Sequence, residues 1–230
     1  MLKRLIMGGI LGLLGLGLAG SPLFASEETI PLDKVKIDLS DFPSLQRGAQ
    51  TFMNYCSGCH GLKFVRYSTM AQDIGIVDRN GKVLEQAVKD NLMFVGDKIS
   101  DSIVPAMQKA EGAAWFGVAP PDLSLTVRAK GADWVYSYLR AFYPDAKRPW
   151  GVNNRVFPDV AMPHVLNDLQ ATLSPPEYDR LVADLVNFLS YAAEPHQLAR
   201  KRLGVFVLLF LGVFLVFAAL LKREYWKEVK

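Results

Sequence analysis

The sequence contains few residues that could cross-link the chain or hold a structural metal. Only 2 of its 230 residues are cysteine and 3 are histidine, which excludes a small scaffold held by several disulfides. A large excess of one charge is also missing. Residues 26–199 hold 17 Lys or Arg against 21 Asp or Glu, and the other 9 basic residues flank two apolar segments. Because the basic charge marks membrane edges, no nucleic-acid partner is expected.

The first apolar segment has the layout of a secretory signal. Lys3 and Arg4 precede an uncharged stretch over residues 5–19, and a short break ends in the small residue Ala25. This pattern predicts a signal peptide over residues 1–25, with an uncleaved anchor as the alternative. In both cases the segment directs residues 26–199 out of the cytoplasm. Disorder is excluded for this middle part, because it has enough aromatic and aliphatic residues to bury a core.

The second apolar segment, residues 203–221, has no charge and no proline over 19 positions. A helix of that length measures about 28 Å, close to the ~30 Å apolar thickness of a bilayer. Basic residues on both sides and the interfacial aromatics Tyr225 and Trp226 support a transmembrane anchor over residues 200–222. The alternative is a buried helix of a soluble core. With the signal setting the orientation, residues 223–230 are predicted to be a cytoplasmic tail.

Both cysteines fall in one C-x-x-C-H string that runs from Cys56 to His60. On a helix, the thiols of Cys56 and Cys59 face one side and can add to the two vinyl groups of one haem, and His60 can reach the iron from that side. The string therefore predicts covalent c-type haem attachment with a proximal histidine. The alternatives are a redox-active disulfide in a βαβ context, a zinc site completed by His164 and His196, and chance burial of two thiols.

Apolar periodicity predicts a mostly α-helical domain with long irregular loops. One helix is expected over residues 44–67, capped by Ser44 and containing the C-x-x-C-H string. A second helix begins with a capping box at residues 174–177 and ends before Pro195. Gly48 and Phe52 are expected to pack against this second helix.

The rest of the domain is less regular. A turn at residues 78–81 and a helix through residues 84–95 are expected, followed by a helix over residues 132–142 with Trp134 and Tyr138 among its inward side chains.

Iron held by one histidine leaves a second axial position to fill. Residues 144–173 are rich in proline and show no periodicity, so they are expected to form an irregular loop with a functional role. Within it, Met162 is a candidate for presenting its sulfur to the iron. His164 and Met107 are alternative candidates for the same position, and Met162 could instead fill a gap in the core. A thioether favours ferrous iron, so a His/Met pair would raise the midpoint potential relative to two histidines.

Several strings in order along the whole chain resemble the cytochrome c1 family, the haem subunit of the respiratory ubiquinol:cytochrome c oxidoreductase. They are the leader, the C-x-x-C-H string with residues 61–67, Pro-Pro-Asp-Leu-Ser within residues 119–124, residues 127–130, residues 157–162 and the C-terminal anchor. Trp115 and the three residues after it are similar to the bacterial members rather than to the mitochondrial ones.

The resemblance implies one covalently attached haem c and a set of residues that bind it. These residues are Cys56, Cys59, His60, Met162, Pro121, Arg128 and Lys130. His60 and Met162 are the implied iron ligands, Pro121 lines the pocket, and Arg128 and Lys130 lie near the propionates. The family often has arginine where this chain has Lys130, and lysine cannot form a bidentate clamp on a carboxylate.

The resemblance also implies partners and a location. The chain would take single electrons from the Rieske iron–sulfur protein and pass them to a cytochrome c while bound to cytochrome b, as a subunit without an active site of its own. The haem domain would lie in the periplasm, anchored in the bacterial inner membrane. The alternatives are an anchored cytochrome that serves another oxidase or dehydrogenase, a haem sensor or enzyme with an open iron site, and an assembly or structural membrane protein.

Overall fold

The computed structural model of the chain describes residues 30–228. Residues 32–228 belong to one unit, which contains the helices and strands given below. The predicted signal peptide, residues 1–25, lies outside the described residues.

The described part of the chain is mostly α-helical, as predicted. In chain order its helices are α1 (Phe42–Tyr55), α2 (Tyr67–Asp73), α3 (Glu85–Asn91), α4 (Lys109–Phe116), α5 (Thr126–Lys130), α6 (Ala132–Arg140), α7 (Asn167–Thr172), α8 (Pro175–Ala193) and α9 (Gln197–Tyr225). Two short antiparallel pairs accompany them. The first joins β1 (Leu62–Arg66) to β2 (Ser102–Ile103), and the second joins β3 (Phe142–Pro144) to β4 (Val152–Asn154).

Helices α1 and α8 form the centre of the core. They approach closely at Gly48, where a Cβ atom would overlap the carbonyl oxygen of Asp184 and lie 2.6 Å from the Cβ of Phe188. Phe52 is fully buried beside this point, and its ring centroid lies 5.9 Å from that of Phe188. The predicted packing of Gly48 and Phe52 against the second helix is confirmed. This contact fixes the end of α1, from which the C-x-x-C-H string continues.

The two central helices begin differently. The capping box before α8 is confirmed, because the Glu177 carboxylate accepts the backbone N–H of Ser174 at 3.0 Å. The predicted cap of α1 is wrong. Asp41 is the N-cap and accepts the backbone N–H of Ser44 at 3.1 Å. Ser44 is buried instead, and its hydroxyl donates to Asp184 of α8 at 2.6 Å, since a buried polar group needs a partner.

Helix α1 ends at Tyr55 rather than at residue 67, which corrects the predicted boundary. The backbone N–H of Cys56 still donates to Phe52, at 2.8 Å, but the chain then turns and enters β1. Strand β1 pairs with β2, which lies about forty residues further along the sequence. This pairing satisfies the backbone groups that a longer helix would have satisfied internally.

Three other predicted boundaries also change. Helix α6 ends at Arg140, because Phe142 begins the β3–β4 hairpin, and helix α3 ends at Asn91, four residues short of the expected end. The hairpin and α7 give order to parts of residues 144–173, which were expected to be irregular throughout. The turn at residues 78–81 is confirmed.

Helix α9 is long and apolar enough to cross a membrane. It has 29 residues and measures about 44 Å. An 18-residue stretch within it has a mean hydropathy of 3.0, and none of its residues is buried. It contains the predicted span, residues 200–222, and starts three residues earlier. Within residues 30–228 the side chains of α9 stay exposed, which argues against a soluble core helix, since such a helix would be buried.

Candidate functional site

A cavity of about 100 Å³ lies where three separate stretches of the chain meet. The stretches are the turn after α1, the segment that follows α4 and the loop before α7. The cavity is lined by Tyr55, Cys56, Cys59, His60, Phe116, Val118, Pro120, Pro121, Ala161, Met162, Pro163 and Val165. Most of these side chains are apolar, as is typical of the walls of ligand and cofactor sites.

Both cysteines line this cavity, although they lie on a turn and not on a helix as predicted. The backbone N–H groups of Cys59 and His60 donate to the carbonyl oxygen of Cys56, at 3.1 and 2.9 Å. These bonds form a single tight turn that places two thiols and an imidazole at one cavity.

The environment of the thiols argues against a redox-active disulfide. Burial raises the pKa of the Cys56 thiol to about 12 and also raises the pKa of Cys59. Redox-active pairs depend on a lowered thiol pKa, because the thiolate is the nucleophile. No βαβ unit occurs within residues 30–228. The same described residues contain no cluster of three or more Cys, His, Asp or Glu side chains that could hold a zinc ion.

One hydrogen bond fixes the state of the His60 ring. Its Nδ1 lies 2.7 Å from the carbonyl oxygen of Pro121. Because a carbonyl oxygen can only accept, Nδ1 carries the proton and donates it, which leaves Nε2 with a free lone pair. Burial lowers the pKa of His60, which favours the neutral ring. The imidazole is thus held in the form that binds metals through Nε2.

Met162 reaches the same cavity from a loop that is tied down by Asn154, the last residue of β4. The Asn154 side chain is fully buried, and its Oδ1 accepts the backbone N–H groups of Val156 and Phe157, at 2.9 and 3.1 Å. Its Nδ2 donates to the carbonyl oxygen of Tyr138 in α6, at 2.7 Å. The side-chain amide of Asn154 therefore links the start of the loop to α6. No sequence pattern predicted this role of Asn154.

The other two axial candidates lie outside the cavity lining. The His164 ring stacks on Phe142, with centroids 4.6 Å apart, and its Nε2 donates to Gln170 Oε1 at 2.6 Å. Met107 packs its sulfur close to Gly112. Of the three candidates, the structure places Met162 alone among the residues that line the cavity with His60.

Comparison with known proteins decides the family. The model of the cytochrome C1 family matches residues 34–229. The chain belongs to the cytochrome c1 family. Cytochrome c1 of Allochromatium vinosum is 47% identical over 92% of this chain and 95% of that protein. Cytochrome c1 of Rhodospirillum rubrum is 34% identical over 83% of each chain.

Two further proteins are similar to this chain, one in sequence and one in structure. A Nitrosomonas europaea protein named ammonia monooxygenase gamma subunit is 44% identical over 94% of this chain and 97% of that protein. A chain of a hyperthermophilic respiratory complex III superposes with a TM-score of 0.46 and 16% identity, covering 90% of this chain and 92% of that one. The latter likeness is too low to carry an argument, so the family rests on the sequence comparisons.

Membership of the cytochrome c1 family implies a c-type haem, and the cavity can be tested for such a group. A haem c needs two thiols on one side, a neutral imidazole beside them, a further ligand from another part of the chain and apolar walls. Cys56, Cys59, His60 and Met162 supply these groups around one mostly apolar cavity. The residues present fit the cofactor that the family implies.

The two basic residues expected near the propionates lie on α5, away from the cavity lining. Arg128 places a terminal nitrogen 3.7 Å from a Glu194 carboxylate oxygen. The Lys130 ammonium lies 5.3 Å from the centroid of the Trp134 ring. Their contact with a cofactor therefore stays a prediction, whereas Pro121 both lines the cavity and holds His60.

Replacing Asn154 by alanine is expected to destabilise the domain by about 3 kcal/mol. The change removes the partner of three part-buried backbone groups, the N–H groups of Val156 and Phe157 and the carbonyl of Tyr138. A fully buried group left without a partner costs about 1–3 kcal/mol, and part-buried groups cost less because water can reach them. The free energy of unfolding of the full chain in detergent, measured with a denaturant, tests this value. Asn91→Ala is the matched control, because Asn91 is exposed and its amide bonds only within its own helix. Equal stability of the two variants would contradict the role given to Asn154.

Proposed function

We propose that this chain is a membrane-anchored cytochrome with one haem, which passes single electrons from the Rieske iron–sulfur protein to a cytochrome c within the ubiquinol:cytochrome c oxidoreductase. One observation carries the proposal. Two thiols, a histidine fixed in its metal-binding tautomer and a methionine sulfur from a distant loop all border one apolar cavity. That set of groups suits a single redox centre.

Each residue has a definite task in this proposal. Cys56 and Cys59 would hold the haem through thioether bonds, each made by addition of an S–H group across a vinyl group. His60 provides Nε2 to the iron, and the Pro121 carbonyl keeps the ring in place. Met162 would provide its sulfur as a second ligand to the iron. When bound, the haem supplies a one-electron couple between ferric and ferrous iron, and the apolar lining keeps water away from it.

We infer the place of the chain in the membrane from its two apolar segments. We infer that residues 1–25 are removed, that residues 26–199 form the periplasmic domain, that residues 200–222 span the inner membrane and that residues 223–230 face the cytoplasm. Helix α9 supports this arrangement by its length and apolar surface. An anchored domain stays beside its partners in the membrane, cytochrome b and the Rieske protein. The excess of 21 acidic over 17 basic residues in residues 26–199 suits a basic soluble acceptor.

Purification through a tag on the C-terminal tail is expected to recover a cytochrome b and an iron–sulfur subunit together with this chain. Mild detergent extraction, identification of the subunits and a redox-titrated optical spectrum of the same sample give the measurement. The reduced spectrum should show b-type and c-type bands, and a quinol should reduce the c-type haem. Recovery with ammonia monooxygenase subunits, in line with the name of the Nitrosomonas relative, would contradict the proposed complex. A c-type band without either set would favour another oxidase or dehydrogenase.

A further inference from the structure

We infer that Tyr138 is a positioning residue for the sixth iron ligand, and that its hydroxyl raises the midpoint potential by donating a hydrogen bond to the Met162 sulfur. The inference rests on the proposed function, because it takes Met162 as an iron ligand. The Tyr138 oxygen lies 3.4 Å from the Met162 sulfur, within reach of a hydrogen bond to sulfur. No other acceptor for this hydroxyl is found among residues 30–228.

The ring of Tyr138 is fixed on two sides, so the hydroxyl has little freedom to point elsewhere. The Trp134 ring stacks on it, with centroids 5.2 Å apart and planes inclined by 7°. Phe142 meets it nearly edge to face, with centroids 5.4 Å apart. The Tyr138 carbonyl accepts the Asn154 amide at 2.7 Å, which ties the same residue to the loop that carries Met162. Tyr138 therefore contacts the ligand through its side chain and the ligand loop through its backbone.

The expected direction of the effect follows from the electrons on sulfur. A thioether sulfur has two lone pairs, so one can bind iron while the other accepts a hydrogen bond. The hydrogen bond draws electron density away from the sulfur and makes it a weaker donor. Ferric iron needs the donated density more than ferrous iron does, so a weaker donor favours the ferrous state. Tyr138 would therefore raise the potential and hold the sulfur in one orientation.

The test compares Tyr138→Phe with the unchanged protein, both purified as the assembled membrane complex. We expect the one-electron equilibrium of the c-type haem to shift about threefold to tenfold towards ferric iron, which is a fall of about 30–60 mV. The absorption band that arises from charge transfer between the methionine sulfur and ferric iron should shift or weaken. Tyr136→Phe is the control, because Tyr136 lies in the same helix and its ring contacts Arg140. This control should leave the potential and the band unchanged.

Three results would overturn the inference, and they can be told apart. If Tyr138→Phe keeps the potential and the band while Met162→Leu loses the band, Met162 is a ligand but Tyr138 does not act on it. If Met162→Leu also keeps the potential and the band, both the inference and the proposed axial ligand fail. A potential that falls equally in Tyr138→Phe and Tyr136→Phe would likewise contradict a specific role for the hydroxyl.

Discussion

Replacing Cys56 and Cys59 together by serine is expected to abolish covalent haem attachment. A serine hydroxyl does not add to a vinyl group under the conditions in which a thiol does, so neither thioether bond can form. Acid–acetone extraction of the purified variant should remove all of its colour, whereas the unchanged protein should keep its colour. A haem stain of a denaturing gel gives an independent measurement, in which the variant band should be blank.

The design of the experiment separates loss of the bond from loss of the fold. Gly58→Ala is the matched control, because it lies in the same turn and an added Cβ there meets no atom within 4 Å. That control should keep its covalent haem. Each single cysteine variant should retain haem through one thioether bond, with a shifted absorption maximum. Covalent colour in the double variant, or its absence in the unchanged protein, would show that these cysteines do not attach a haem.

Signals that are local in the sequence were sufficient for part of the structure. The capping box at Ser174 and Glu177 predicted the start of α8 correctly, because a cap acts within one turn of helix. The long uncharged segment predicted α9, since a membrane span needs only length and composition. The apolar spacing of Phe52 with its neighbours predicted the buried face of α1. These features depend on residues within a few positions of one another.

Features that depend on distant residues could not be predicted in the same way. The end of α1 at Tyr55 is set by pairing between β1 and β2, and no pattern in the sequence of β2 predicts this pairing. Asn154 and Tyr138 act through contacts between α6 and the Met162 loop, which exist only in the folded chain. For Met162 itself, spacing alone left His164 and Met107 open, and the shared cavity separates them. The sequence therefore predicted which residues belong to the site, but it could not predict most of the residues that they contact.

Replacing Met162 by leucine is expected to lower the midpoint potential of the c-type haem and to open its sixth position. Leucine keeps the apolar bulk in the cavity wall but has no lone pair, so iron loses a soft ligand that favours the ferrous state. We expect a shift towards ferric iron of about a hundredfold or more, which is about 120 mV or more at 59 mV per factor of ten. A redox titration of the membrane complex measures this change, and carbon monoxide binding to the reduced sample measures the open position.

Met107→Leu is the matched control for Met162→Leu. Met107 is the other methionine that the sequence left as a candidate, but its sulfur packs near Gly112, outside the cavity lining. Met107→Leu should therefore keep the potential and should not bind carbon monoxide. If the two variants exchanged these behaviours, Met107 would be the ligand and Met162 would only line the cavity. If the unchanged protein bound carbon monoxide readily, iron would already have an open position. Met162 would then serve only as packing, and a sensor or a haem enzyme would explain the site better than an electron carrier.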